Sequence, residues 1–157
     1  MSDNEIAQLR TQVEQAVNAI YDGKYNNAER LQATNFLEEV KNRESSLILG
    51  PILYNESTVE TIQYYGLQLV DFNISNKYTT VMSLQMKRHI KEWLIESCFK
   101  IDNKTPKFIK EKLTYLWVAI AKREYGECCK YNINGELLEV NQTNKSNSTT
   151  GQNDNQD

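Results

Sequence analysis

Cys98, Cys128, Cys129 and His89 are the residues of this chain best suited to nucleophilic or metal chemistry. A Cys–His nucleophile pair must sit within hydrogen-bond reach. The apolar spacing predicts His89 and Cys98 on one helix, nine residues apart. More than two turns then separate them, and they cannot touch. The adjacent Cys128–Cys129 pair fits neither the C-x-x-C spacing of a zinc site nor an even disulfide framework. One histidine also leaves a His/Cys metal site short of ligands. Glu38 and Glu39 point to different sides of a helix among basic neighbours, which makes a solvated face and not an acid/base dyad. Neither G-x-x-x-x-G-K nor G-x-G-x-x-G occurs to cradle a phosphate. The expectation is a protein that is not an enzyme and uses no cofactor or metal.

The charge pattern suggests binding. Residues 1–60 carry ten Asp/Glu against five Lys/Arg, and residues 87–124 carry ten Lys/Arg against five Asp/Glu. A dipolar layout of this kind orients a charged partner. The basic stretch is interleaved with aromatic residues, a combination that can bind RNA phosphates. The sequence pI of about 5.3 weighs against a dedicated nucleic-acid domain. Tyr64 and Tyr65 are adjacent, so at least one should face outward. Trp93 and Trp117 stand at helical spacing among aliphatic neighbours and read as core, together with Leu37 and Leu67.

Helices must position these groups. Only six glycines and two prolines occur in 157 residues, too few turn-formers for an all-β sandwich. The longest apolar run, Leu47–Tyr54, is far too short to span a bilayer. The opening Met1-Ser2-Asp3-Asn4-Glu5 is acidic and lacks a signal peptide's apolar stretch. The expectation is an intracellular, soluble, helical chain with no membrane partner.

Ile6, Leu9, Val13, Ala16, Val17 and Ile20 describe one helix face. Asn26 or Asn27 can cap a second helix with Leu31, Phe36, Leu37 and Val40 inward. A short helix from about Ser45 to Asn55 is expected to kink or restart at Pro51. Ser57 and Glu60 have capping-box spacing and open a fourth helix with Val59, Ile62, Leu67, Leu69 and Val70, before a polar loop at Asn73–Tyr78. Val81, Leu84, Ile90, Trp93, Leu94 and Cys98 line a fifth. Thr105-Pro106 starts a sixth, with Phe108, Ile109, Leu113, Leu116, Trp117 and Ile120 inward and Gly126 as its stop. Three helix pairs at roughly 40 residues per pair match the period of HEAT-type repeats. The fold class is all-α, a HEAT/armadillo-type antiparallel helix-pair solenoid of about three repeats. Residues 1–126 form the repeats, 127–140 a partial further repeat or cap, and 141–157 a disordered polar tail.

Three segments carry a family resemblance. Ala28-Glu29-Arg30-Leu31-Gln32-Ala33 with Phe36-Leu37-Glu38-Glu39-Val40 resembles the first B helix of importin-beta-type karyopherins. Tyr64-Tyr65-Gly66-Leu67-Gln68-Leu69-Val70-Asp71 is similar to the family's aromatic-Gly-Leu segment in the second repeat. Phe108 to Leu113 with Leu116 to Glu124 looks like the third-repeat helix that ends in Lys-Arg-Glu. Together they resemble the exportin-five branch, in its fungal form, over about residues 6–127. The family is several-fold longer, so the chain reads as an N-terminal portion.

The resemblance implies a nuclear transport receptor in which A helices lie outside and B helices line a concave face. It implies protein export coupled to the GTP form of the small GTPase Ran, with shuttling between nucleus and cytoplasm. The implied partners are Ran, nucleoporins and protein cargo, phosphorylated in the fungal form, with structured RNA elsewhere in the branch. On the predicted B helices it places Glu38, Glu39, Gln68, Asp71, Lys112, Lys122 and Arg123 toward Ran. The alternatives from the residues alone are a helical adaptor domain without Ran contact and an RNA-binding helical module using residues 87–124.

Overall fold

The computed structural model describes residues 3–128, and the expectations for 129–157, Cys129 and the tail among them, lie outside the described residues. Six helices follow one another: α1 (Asp3–Tyr21), α2 (Asn27–Asn42), α3 (Ser46–Glu56), α4 (Glu60–Lys77), α5 (Leu84–Phe99) and α6 (Lys107–Cys128). No strand occurs among the described residues.

Local chemistry sets the ends. Asn26 accepts from the Glu29 amide at 2.9 Å while its own amide donates to the Glu29 carboxylate at 2.9 Å, a complete capping box for α2. The Ser83 hydroxyl accepts from the Met86 amide at 3.2 Å and starts α5. The Ser57–Glu60 box does not form. Ser57 closes α3 through its amide on the Leu53 carbonyl at 3.3 Å, so that amide is not free for Glu60. Thr105 turns back as well: its hydroxyl and amide donate to the Asp102 carboxylate, both at 2.8 Å, and these bonds hold that carboxyl below its usual range. α6 then runs through Gly126 to Cys128, and α3 is one uninterrupted helix containing Pro51.

The polar loop expected at Asn73–Tyr78 is instead the last turn of α4 and the residue after it. Val70, Ile74 and Tyr78 recur every fourth residue and are all buried. Asn73 joins them inside because its side-chain amide donates to the Leu69 carbonyl at 2.9 Å. Val81 and Leu84 lie outside the core, at 62% and 82% exposure, because α5 begins only at Leu84. Leu31, Val59 and Phe108 are also exposed and not inward as their spacing suggested.

The described residues up to Arg123 form one compact unit, and the helices pack in it as antiparallel pairs. Ser46 near the start of α3 meets Asn73 near the end of α4, and Gly50 meets Gly66 at mid-helix. Neighbouring pairs repeat in register. On one side Arg10 of α1 pairs with Glu56 of α3, and Tyr54 of α3 stacks edge-on against Trp93 of α5 at 5.6 Å. On the other, Tyr65 of α4 reaches the Leu37 carbonyl of α2, and Lys112 of α6 pairs with Asp71 of α4. α1, α3 and α5 are therefore the A helices and α2, α4 and α6 the B helices of a HEAT-like solenoid. Pair α3–α4 has a core on each side. Leu49, Leu53, Ile62, Tyr65 and Leu69 pack against α1 and α2, while Leu47, Leu67, Val70 and Ile74 pack against α5 and α6. A second unit, residues 124–157, is described only to the end of α6.

Candidate partner-binding surface

The seven residues expected to contact a partner all lie on B helices, but their side chains are not equally available. On α2, Glu38 and Glu39 are exposed and engage Lys41 and Arg43 one turn on, Glu39 at 3.9 Å. Glu38, Lys41 and Gln68 line one cleft of about 130 Å³ where α2 and α4 meet the end of α1, with Leu37, Tyr65 and Val17 in its lining. Tyr65 is the inward member of the tyrosine pair. Its hydroxyl donates to the Leu37 carbonyl at 3.0 Å, and burial, reinforced by the Glu38 charge, pushes its pKa well above the ordinary value. Tyr64 is half-buried against the α5–α6 side of the core and meets Phe108 of α6 edge-on at 5.4 Å, so neither tyrosine is fully outward.

Asp71 and Lys112 are brought together at 2.6 Å, bridging α4 and α6, and the Lys112 ammonium also lies 5.0 Å from the Tyr115 ring. Arg123 is spent internally, donating to the Ala119 carbonyl at 2.8 Å and the Ser75 carbonyl at 3.3 Å. Lys122 is exposed. The structure thus joins Glu38 with Gln68 and Asp71 with Lys112, and it turns Glu39 away toward Arg43.

The seven expected residues are all polar or charged, and exposed apolar groups that were not among them lie on the same helices. Phe108, Tyr115 and Val118 of α6 are 42%, 51% and 53% exposed, and Leu31 of α2 is 62% exposed. Tyr115 and Val118 follow Phe108 by seven and ten residues, a spacing that puts all three on one helix side. That spacing was the available signal. Exposed aromatic and aliphatic groups beside isolated charges are the composition of a protein-binding surface. A separate apolar cleft of about 280 Å³ opens between A helices α3 and α5, lined by Ile48, Pro51, Ile52, Met86, His89 and Trp93.

The basic stretch is less basic at its surface than in its sequence. Lys87 is buried with its ammonium 4.9 Å from the Tyr78 ring. Lys107 pairs with Glu111 at 3.6 Å, Lys112 with Asp71, and Arg123 with carbonyls. Among the described residues no three His, Cys, Asp or Glu gather as a metal site requires, and no helix is long and apolar enough to cross a membrane.

No family model matches the chain. Among curated proteins it is similar to Protein MSN5 of Saccharomyces cerevisiae, 34% identical over 122 residues. It is also similar to Exportin-5 of Dictyostelium discoideum, 29% identical over 123 residues. These matches cover 76% and 78% of this chain but only 10% and 11% of the two relatives. The chain thus spans about a tenth of the length of the curated relatives it matches. Six helices in repeating pairs and two such matches agree: the chain is similar, as a segment, to the exportin-five branch that these relatives represent.

Proposed function

We propose that this chain is the Ran-binding portion of an exportin-type nuclear transport receptor. The similarity over 122 residues to Protein MSN5 supports the reading, because it covers most of the helix-pair array. On this reading residues 1–126 are the receptor's first HEAT repeats, 127–140 a partial repeat or cap, and 141–157 a polar tail. The B-helix surface meets Ran in its GTP form through Glu38, Gln68, Asp71, Lys112 and Lys122, with Leu31, Phe108, Tyr115 and Val118 between them. Glu39 and Arg123 act at its edge, through their intramolecular partners.

Export follows from linkage. Ran-GTP and cargo bind the same curved receptor cooperatively, with a coupling of roughly 1–3 kcal/mol, and hydrolysis removes one ligand's contribution and releases the other. The receptor then shuttles between nucleus and cytoplasm, contacting nucleoporins on the way. Its cargo is protein, phosphorylated in the fungal form, and structured RNA in other members of the branch. The protein carries out no reaction of its own.

A pull-down of the purified chain with Ran loaded with GTP or with GDP tests the proposal. Retention of the GTP form alone is the expected result. Equal retention of both, or of neither, would leave a helical adaptor domain as the better reading. Titration with RNA at rising salt separates the RNA-binding alternative, whose affinity would fall steeply as phosphate contacts release counterions.

A further inference from the structure

Where α2 ends and α3 begins, the two apolar cores are interrupted by a small polar cluster. Ser46 is fully buried and Asn73 is 1% exposed. The Ser46 hydroxyl lies 2.7 Å from the Arg43 carbonyl, 3.1 Å from the Lys41 carbonyl and 3.1 Å from the Asn73 side-chain oxygen. Those are three acceptors around one hydroxyl, which has a single proton to donate.

The missing donors come from Lys77. Its ammonium stands 3.2 Å from the Arg43 carbonyl, 3.5 Å from the Lys41 carbonyl and 3.3 Å from the Ser46 oxygen. Three N–H groups can serve these three oxygens at once, which frees the Ser46 hydroxyl to donate to Asn73. The Lys41 and Arg43 carbonyls belong to the C-terminal end of α2, where a cation is also favoured by the helix dipole. The Lys77 ammonium also lies 5.9 Å from the centre of the Phe72 ring. Partial burial lowers the pKa of Lys77, and the nearby Glu44 charge opposes that shift.

We infer that Lys77 is the donor that fastens the first helix pair to the second, so that one ammonium sets how the α2 and α4 parts of the B-helix surface align. Without it the Arg43 carbonyl keeps only the Ser46 amide at 3.2 Å, and the one hydroxyl must choose between the Lys41 carbonyl and the Asn73 oxygen, which leaves one of those two without a donor. The two pairs retain their apolar contact through Leu37, Leu49, Tyr65 and Leu69 and the Tyr65 bond to the Leu37 carbonyl, but lose the polar constraint at the end of α2.

Hydrogen exchange of the whole 157-residue chain tests this, with Lys77→Met, Lys77→Arg and Ser46→Ala beside the wild type. Lys77→Met keeps an apolar stem and removes every donor. Amides of residues 41–49 should then exchange about tenfold faster, while those of α5 and α6 stay as in the wild type. Lys77→Arg should restore most of the protection. Ser46→Ala should cost less than Lys77→Met, because the ammonium still serves both carbonyls. A uniform rise over all six helices, no rise at 41–49, or a larger effect from Ser46→Ala would overturn the inference. If Lys77→Met does not fold, Lys77→Gln takes its place, since it keeps two N–H donors and should give an intermediate, equally local increase.

Discussion

Gly66→Ala is the sharpest test of how the middle helix pair is built. A Cβ at Gly66 would lie 2.7 Å from the Gly50 carbonyl oxygen, 3.0 Å from the Tyr54 amide nitrogen and 3.1 Å from the Leu53 Cβ. The first two are backbone atoms and cannot swing aside. The nearest is about 0.7 Å short of ordinary van der Waals contact, so α3 and α4 must move apart by a similar distance. That movement loosens Leu53, Leu67 and Leu69, none of which has exposed surface. Overpacking of this kind costs roughly 1–3 kcal/mol. Alanine in a helix interior gains about 0.5–1 kcal/mol over glycine. The crossing should win, for a net loss of about 1–2 kcal/mol by urea denaturation followed at 222 nm. Gly50→Ala should behave alike, since its Cβ would meet the Gly66 carbonyl oxygen at 2.9 Å. The double variant should cost less than the sum, because the first substitution has already parted the helices. Gly23 is the control: nothing lies within 4 Å of its Cβ position, so Gly23→Ala should stay within about 0.5 kcal/mol of the wild type. A stabilised Gly66→Ala would refute the close crossing.

Other outcomes follow from the same structure. Tyr65 keeps its proton in the folded state above its ordinary pKa of 10.0, while the unfolded chain releases it, so stability is held below pH 10 and lost as pH rises through it. The fall should approach about 1.4 kcal/mol per pH unit, with Tyr54 adding in the same direction. Tyr65→Phe should lose about 1 kcal/mol at pH 8, through the bond to Leu37, and decline less between pH 8 and 11 when urea midpoints are compared. Trp117 is half-buried against the α5–α6 core, so Trp117→Ala should cost about 1.5–2.5 kcal/mol, short of the roughly 3–5 kcal/mol of a fully enclosed site. A loss below about 1 kcal/mol would place it outside the core. Reversing Glu38 and Glu39 to Lys puts like charges beside Lys41 and Arg43, costing a few tenths of a kcal/mol each while helicity holds. The same double reversal should weaken Ran-GTP binding about fivefold or more, and unchanged affinity would remove both residues from the surface.

Helix number, order and pairing were legible in the sequence because the apolar residues recur every three or four positions over long stretches. The ends were less legible, because a capping residue can serve either neighbour. Ser57 has the spacing to start α4 but is used to end α3, and Thr105 bonds back to Asp102. The end of α4 was misread because Asn73 is polar in type yet buried by a bond to its own helix. For the candidate surface, the seven expected residues fall on α2, α4 and α6. Only the structure separates Lys122, which is exposed, from Arg123, which is consumed by carbonyls. Phe108 and Leu31 read as core because apolar type and helical spacing do not distinguish a helix side that meets its pair from one left exposed.

The contact surface itself can be measured by oxidative footprinting of the chain, free and with Ran-GTP. Leu31, Phe108, Tyr115 and Val118 mark the B helices, while Ile48, Leu84 and Phe99 mark the A helices, and all seven are exposed in the free chain. Protection of the first four by Ran-GTP, absent with Ran-GDP, is the result the account predicts. Protection confined to Ile48, Leu84 and Phe99, or no difference between the nucleotide states, would contradict it.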